Sequence, residues 1–389
     1  MKHPPVYLDY AATTPVRPEV VEAMLPFFGA QSFGNPSSAH RFGRAARAGL
    51  EEAKRKVAAA VDAEPNQVVF TSGGTEADNL AIVGAALAAR DAGRRMCAVV
   101  TAIEHKAILA AAHAVCHLGG EEIVLPVTGD GVVELDALDR AIAGRPAVVS
   151  VMWVNNEIGV IQPIEALAAR SKEQGALFHT DAVQAFGKVA IDLNTLPIDL
   201  LTISGHKIGA PKGIGALFVR RGVKLDPLMH GGDQDRGRRP GTENVAFAVG
   251  LARAAELAVE EREAEVRRLA ELRDRLETAL LERIPDAIVH GRGAPCAPHI
   301  LNISVAGTDS ESMLMALDLQ GVACSAGSAC QSGSVTPSHV LRAMGVRSDI
   351  ATSAIRMSLG SLTNDDGITR VAELFPALIQ KARRLAGQA

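Results

Sequence analysis

The sequence predicts an α/β fold with a mostly parallel sheet, joined to a smaller α+β domain. Short apolar segments that are polar only at their ends alternate with amphipathic helical segments, which is typical of strands covered on both faces. This alternation stops near residue 258, where a highly charged helical segment begins. A length of 389 residues suits two domains. We place the large domain at 15–260 and the small domain at 1–14 and 261–389.

The large domain is predicted to contain six strands, at 67–71, 97–101, 122–127, 147–152, 177–180 and 200–203. A glycine turn and a helix over 75–90 follow the first strand. The second strand is followed by Glu104, His105 and a helix of small residues. Strands that alternate with helices in this way form a parallel sheet between helical layers.

The small domain is predicted to begin with one long helix over 259–284. Its apolar residues recur at helical spacing, at positions 266, 269, 272 and 276. A strand over 299–305 and helices after Ser310 and Pro337 complete this domain. The first fifteen residues carry no complete element, and we expect them to pack against it.

Composition excludes several classes of function. The net charge of −4 and the lack of a basic stripe argue against nucleic acid as a partner. No apolar segment approaches the roughly 20 residues that span a bilayer, so no membrane association is predicted. The N-terminus lacks the apolar stretch of a signal peptide. Five cysteines without CxxC spacing suit a reducing cytoplasm.

A glycine turn over 71–76 joins the first strand to the following helix. Glycines let the backbone approach an anion, and the helix N-terminus offers free N–H groups, so Gly74 and Thr75 are candidates for binding a phosphate. The alternative is a tight turn with Thr75 as a helix cap. The turn matches neither a Walker A loop nor GxGxxG, which disfavours an NAD-dependent Rossmann enzyme.

Lys207 and Asp181 both follow predicted strands, where ligands bind in open α/β sheets. A lysine can form an imine with an aldehyde cofactor, and its neighbours Ser204 and His206 can donate to a phosphate. A carboxylate can keep a heteroaromatic nitrogen protonated, as enzymes that use pyridoxal phosphate (PLP) require. The alternatives are a surface lysine in a polar loop and an aspartate that caps a helix.

The segment 325–334 is small, polar and glycine-rich, and it contains Cys330. This predicts an exposed loop whose thiolate can attack a substrate and then move away. Cys324 ends an apolar segment and is expected in the core.

Two further segments have alternatives of their own. Arg356 suits a substrate carboxylate or a structural ion pair, and the loop 236–242 is either a solvated surface or presents Thr242 to a phosphate.

Together these segments resemble the cysteine desulfurases, fold-type-I PLP enzymes of the class-V aminotransferase branch. The matching blocks span nearly the whole chain in the family's order: YLDYAATTP (7–15), FGNPSSAH (33–40), FTSGGTEADNLA (70–81), EHKAI (104–108), NNEIGVIQP (155–163), HTDAVQAFGK (179–188), SGHKIGAPKGIGALFVRR (204–221), RRPGTENV (238–245), SAGSACQSGS (325–334) and SHVLRAMG (338–345). The long loop around Cys330 is similar to the group that serves nitrogen fixation and iron–sulfur cluster assembly.

The resemblance implies a role for each residue at the cofactor ring. Lys207 would bind PLP covalently and later move protons. Asp181 would pair with the pyridinium nitrogen, His105 would stack on the ring as an acid–base group, and Gln184 would hydrogen-bond the phenolic oxygen.

The phosphate would be held by Gly74, Thr75, Ser204 and His206. Thr242 would reach the phosphate in a partner subunit, which implies a homodimer. Asn156 would contact the cofactor and, with Arg356, the substrate carboxylate.

The implied reaction converts L-cysteine into L-alanine and leaves a persulfide on Cys330, whose sulfur passes to an acceptor or scaffold protein. No resident metal is expected, with a transient cluster at Cys330 left open. The sequence departs from the commonest family pattern at Gln331, Pro240 and Asp233, none of which removes a catalytic group.

Two other functions stay open at this point. A related PLP lyase would act on selenocysteine, cystine or another substituted amino acid, but such a lyase needs no protein thiol like Cys330. A sulfur-relay scaffold would bind acceptors with little activity of its own, and the set of Lys207, Asp181 and His105 argues against it.

Overall fold

The computed structural model describes residues 4–326 and 337–385. In these residues strands β1 to β12 are Val6–Tyr7, Val68–Thr71, Cys97–Thr101, Glu121–Leu125, Val148–Ser150, Leu177–Asp181, Leu200–Ser204, Gly215–Val219, Ile288–Val289, Ile300–Ser304, Val322–Ala323 and Ile355–Ser358. Helices α1 to α12 are Pro18–Met24, Arg41–Ala59, Gly74–Asp91, Lys106–His117, Leu135–Ile142, Ile164–Glu173, Val245–Glu260, Arg262–Arg283, Ser310–Leu319, His339–Ala343, Ser348–Ala351 and Asp365–Leu385.

A seven-stranded sheet occupies the centre of the molecule, with the strand order β2-β8-β7-β6-β5-β3-β4. Strand β8 runs antiparallel to both of its neighbours, while β3 to β7 pair in parallel. The six strands predicted for this region are all present, and their ends differ from the prediction by at most two residues. The α/β class with a mostly parallel sheet is therefore confirmed.

Both faces of this sheet are covered, as the apolar strand sequences predict. In β2, Val68 and Phe70 face the apolar core formed with α2 and α7. Val69 between them faces the opposite core, formed with α3 and α4. Side chains alternate along a strand, so a strand that is apolar throughout contributes to both cores. Ligands can then reach this sheet at its strand ends rather than at its faces.

A second sheet has the antiparallel order β12-β10-β9. It packs in a third apolar core that contains Leu276 of α8, Phe375 of α12 and Leu8 from the N-terminal segment. The division into domains at 15–260 and 261–389 stays a prediction. None of the helices in the described residues is both long and apolar enough to cross a bilayer.

Two sequence expectations are wrong in detail. The helix predicted over 259–284 is two helices, because α7 ends at Glu260 and α8 begins at Arg262. Glu261 at the junction forms an ion pair with Arg17 at 2.6 Å, which anchors the break. The N-terminal segment does contain a strand, since β1 pairs in parallel with β11. Two residues are too few to produce a periodic pattern, and their pairing partner lies over 300 residues away.

Candidate active site

A cavity of about 350 Å³ opens at the carboxyl ends of β2, β6 and β7. Strand ends at one edge of a parallel sheet bring together side chains that are distant in sequence. The cavity is lined by nine of the residues predicted for the site: Gly74, Thr75, His105, Asn156, Asp181, Gln184, Ser204, His206 and Lys207.

A short turn places Lys207 at this cavity. Strand β7 ends at Ser204, and the 3₁₀ segment Gly205–Lys207 follows directly. Gly209 then adopts φ +86°, a left-handed conformation that costs glycine little, and its N–H donates to the Thr14 hydroxyl at 2.9 Å. The chain can therefore turn back after the lysine and enter β8 at Gly215.

The Lys207 ammonium lies in a partly buried position. Its Nζ donates to the carbonyl oxygens of Ala11 at 2.5 Å and Ala12 at 2.8 Å. Burial, followed by the charge of Arg356, lowers the pKa of Lys207 to about 8, although Asp181 opposes the shift. A neutral amine, the form that attacks an aldehyde, is thus accessible near neutral pH.

Asp181 ends β6 and is buried. Its Oδ1 accepts a hydrogen bond from the Val183 N–H at 2.9 Å, and burial raises its pKa against the opposing charge of His105. Asp78 of α3 lines the same cavity, and burial, followed by the charge of Asp181, raises the pKa of Asp78 well above its usual range. Two neighbouring buried carboxyl groups favour a ligand that brings a proton or a positive charge.

His105 caps the N-terminus of α4, where its Nδ1 accepts a hydrogen bond from the Ala107 N–H at 3.2 Å. The Nε2 atom therefore carries the proton of the neutral ring. The surrounding protein lowers the pKa of His105 by desolvation, although Asp181 opposes this. A neutral imidazole at the cavity wall can stack on a flat ring and can accept or donate a proton.

The first turn of α3 forms one wall of the cavity and suits an anion. A Cβ atom at Gly74 would lie 3.2 Å from Val183 Cγ2, so glycine keeps this wall open. Ser204 and His206 line the cavity with it. Burial lowers the pKa of His206 to about 4, which leaves a neutral ring that can still donate one hydrogen bond. Helix N–H groups and these donors are the kinds of group that can bind a phosphate.

Other predicted residues are not at the cavity. Arg356 is 3 % exposed and lies behind Asn156, because it donates to the Asn156 carbonyl at 2.9 Å and pairs with Asp9 at 2.7 Å. Thr242 is exposed and is not among the cavity-lining residues. Cys330 and Gln331 lie outside the described residues.

Cys324, the cysteine that precedes Cys330 in the chain, lies within the described residues. Burial raises the pKa of Cys324 to about 12, so it stays a protonated, unreactive thiol.

Two buried carboxyl groups next to the site were not predicted. Glu104 is 0 % exposed and accepts hydrogen bonds from the Thr101 hydroxyl at 2.7 Å and the Met152 N–H at 2.8 Å. Burial raises the pKa of Glu104 to about 8. Asp78, four residues after Gly74, could have been noticed as a charge on the apolar face of a helix.

Comparisons with known proteins identify the family. The model of the aminotransferase class-V family matches residues 6–371. The chain belongs to the aminotransferase class-V family. A cysteine desulfurase from Gluconacetobacter diazotrophicus is 48 % identical over 383 residues, covering 98 % of this chain and 95 % of the relative. Cysteine desulfurase IscS from Dictyoglomus turgidum is 44 % identical over 381 residues, covering 98 % and 96 %.

Solved structures agree with this class-V assignment. A NifS-like protein superimposes with a TM-score of 0.90 at 34 % identity, covering 97 % of this chain and all of the other. SspA in complex with cysteine gives a TM-score of 0.80 at 33 % identity, covering 91 % and 98 %. These comparisons confirm the resemblance to cysteine desulfurases, the fold-type-I architecture and PLP as the cofactor.

Proposed function

We propose that this protein is a cysteine desulfurase that uses PLP to take sulfur from L-cysteine and release L-alanine. The observation that carries the proposal is a single cavity that combines the Lys207 amine, the Asp181 carboxyl group and the anion-binding turn at Gly74. An aldehyde, a ring nitrogen and a phosphate are the three groups of PLP that these residues suit. The cysteine desulfurases among the relatives support the same reaction.

Bound PLP supplies an electron sink that stabilises a carbanion at the substrate α-carbon. Asp181 holds the ring nitrogen in its protonated form, and its burial strengthens that interaction. The depressed pKa of Lys207 leaves part of the amine neutral, so it can bind the cofactor and, once released, take the α-proton. Ser204, His206 and the first turn of α3 hold the phosphate.

We assign the sulfur-accepting role to Cys330. Its thiolate attacks the substrate sulfur, so an S–S bond forms while the Cβ–S bond breaks. The electron pair of that bond stays with Cβ, which takes up a proton to give alanine, and Cys330 is left as a persulfide. Ser325, the described residue five positions earlier, exchanges backbone hydrogen bonds with Arg356 at 2.6 and 3.1 Å. Five extended residues span up to about 17 Å, so Cys330 can reach a substrate held near Arg356.

Partners and location follow from the same proposal. Three apolar side chains near α1, Leu25, Phe28 and Phe33, are about 60 % exposed, as at a protein interface. With the exposed Thr242, they support a homodimer. The persulfide requires a thiol acceptor or a scaffold protein. The free thiols in the described residues, including Cys97 and Cys116, suit the cytoplasm.

The products made from L-cysteine test this function. The purified protein with PLP, L-cysteine and a thiol reductant should release L-alanine and sulfide in equal amounts. Pyruvate and ammonia in place of alanine would contradict the proposal and indicate a PLP lyase.

A further inference from the structure

The side-chain amide of Gln184 has a fixed orientation at the cavity wall. Its Nε2 donates to the Ala11 carbonyl at 2.9 Å, and its Oε1 lies 3.2 Å from His299 Nε2. A carbonyl oxygen can only accept, so the amide nitrogen must face Ala11 and the amide oxygen must face His299. The Nε2 of His299 is therefore the donor in that contact.

His299 reaches Gln184 from a different part of the fold. It directly precedes β10 of the three-stranded sheet and is 4 % exposed, whereas Gln184 follows β6 of the central sheet. The other ring nitrogen, Nδ1, is buried and has no partner among the described residues. An unpaired buried acceptor destabilises the fold, so His299 lowers the stability of the protein through its Nδ1 atom. The hydrogen bond that its Nε2–H donates is the contact that can offset this loss.

The environment of His299 favours the neutral ring, and with it this single donor. Burial holds the pKa of His299 well below its usual range, and four surrounding cations add to the effect: Lys188, Arg356, Arg273 and Lys207. The ring is therefore neutral, and its one proton stays on Nε2, where the Gln184 oxygen accepts it.

We propose that His299 is a positioning residue that aligns the Gln184 amide so that its second N–H faces the phenolic oxygen of PLP. This inference rests on the proposed use of PLP. One Gln184 N–H is taken by Ala11, and Gln184 lines the 350 Å³ cavity together with Lys207. The second N–H is thus left for a ligand in that cavity.

A hydrogen bond to the phenolic oxygen has a measurable consequence. The hydrogen bond stabilises the phenolic oxygen in its ionised form. This oxygen then holds the proton of the Lys207–cofactor linkage less strongly. The linkage then loses its proton at a lower pH, and loss of the hydrogen bond moves this titration to a higher pH. The charges around Lys207, from Arg356, Asp181 and Asp9, are unchanged by a substitution at His299.

The test is a pH titration of the visible absorbance of the bound cofactor. In His299→Leu the midpoint should rise by about one pH unit, the size expected for one lost hydrogen bond. His299→Gln should restore the wild-type midpoint to within about 0.3 unit, because its Nε2 takes the place of the histidine Nε2. His299→Asn has its donor at the Nδ1 position, so it should behave like the leucine variant and replaces it if that variant does not fold.

A double-variant cycle separates alignment of Gln184 from a general change in the site. Gln184→Ala should raise the midpoint as His299→Leu does, and combining the two should add nothing further. Additive shifts, or an unshifted midpoint in folded His299→Leu and His299→Asn, would overturn the inference while alanine formation keeps the proposed function intact. A wild type that shows no visible cofactor band after incubation with PLP would overturn both.

Discussion

The guanidinium of Arg239 donates a hydrogen bond to Glu76 at 2.9 Å, and Glu76 also accepts the Ser72 N–H at 2.6 Å. Arg239 thereby ties the loop that carries Thr242 to the turn that precedes α3. The same loop contains Asp235 with φ +46° and Arg236 with φ +61°, a left-handed pair that is strained for residues other than glycine. An ion pair between Asp235 and Lys54 helps to hold that shape.

Removal of the hydrogen bond between Arg239 and Glu76 should weaken PLP binding. In Arg239→Met the phosphate-binding turn loses its contact with the loop, and we expect the Kd for PLP to rise about tenfold, or ~1.4 kcal/mol. Titration of the apoprotein with PLP measures it. Arg347→Met breaks an exposed ion pair with Asp349 and should leave the Kd unchanged. Equal affinities for PLP in the two variants would show that the Arg239–Glu76 hydrogen bond does not support PLP binding.

Covalent capture of PLP should follow the ionisation of Lys207. Because the pKa of this lysine is lowered to about 8, the capture rate of the apoprotein should rise with pH and level off above a midpoint near 8. An ordinary lysine is less than about 1 % neutral at that pH. The charge of Arg356 contributes to the lowered pKa, so Arg356→Met should move the midpoint upward. Stopped-flow absorbance gives the profile, and a wild-type midpoint near 10 would refute the assignment.

Glu104 should make stability depend on pH. Its pKa is about 8 in the folded protein, whereas an exposed glutamate titrates near 4.5. Between these values the folded state holds a proton that the unfolded state has lost, so stability decreases as pH rises, by up to ~1.4 kcal/mol per pH unit.

Glu104→Gln keeps the acceptor for Thr101 and Met152 but does not ionise. The variant should therefore melt at least about 2 °C above the wild type at pH 8, with a smaller difference at pH 5.5. Thermal unfolding at the two pH values gives the comparison. A difference that does not depend on pH would show that Glu104 has an ordinary pKa.

Arg356 should act on substrate binding in addition to its effect on the pKa of Lys207. Its guanidinium is held by Asp9 and by the Asn156 carbonyl, and its Nε is buried without a partner among the described residues. Arg356→Lys keeps the charge but loses the planar fork, so KM for L-cysteine should rise about tenfold with little change in kcat. The visible spectrum should be unchanged. A lower kcat at constant KM would instead place Arg356 in the chemical step.

Much of the fold was predictable, because its signals are local. The strand 97–101 is apolar throughout, and it is found with the predicted ends. The positions of Lys207, Asp181 and His105 at one cavity follow from the rule that parallel strands end at one edge. The break at Glu261 was missed because no proline or glycine marks it, and the pairing of β1 depends on a distant strand.

The unpredicted parts of the site depend on tertiary contacts. The Ala11 carbonyl that receives both Lys207 and Gln184 is a backbone atom, which leaves no sequence signal. His299 directly precedes a strand of the other sheet, and its sequence neighbours do not indicate that it meets Gln184. The raised pKa of Glu104 arises from burial that its sequence neighbours do not indicate, whereas the burial of Asp78 has a sequence signal, a charge on the apolar face of α3.

The most direct test of the central claim is to locate the persulfide after one turnover with L-cysteine. Wild type and Cys324→Ala should both form L-alanine and carry the extra sulfur on Cys330, since the partly buried Cys324 thiol has a pKa of about 12. Cys330→Ala should bind L-cysteine, with the visible band shifting, yet form almost no alanine and no persulfide. Mass spectrometry of labelled peptides gives the site. Persulfide and alanine in Cys330→Ala at wild-type levels would contradict the account.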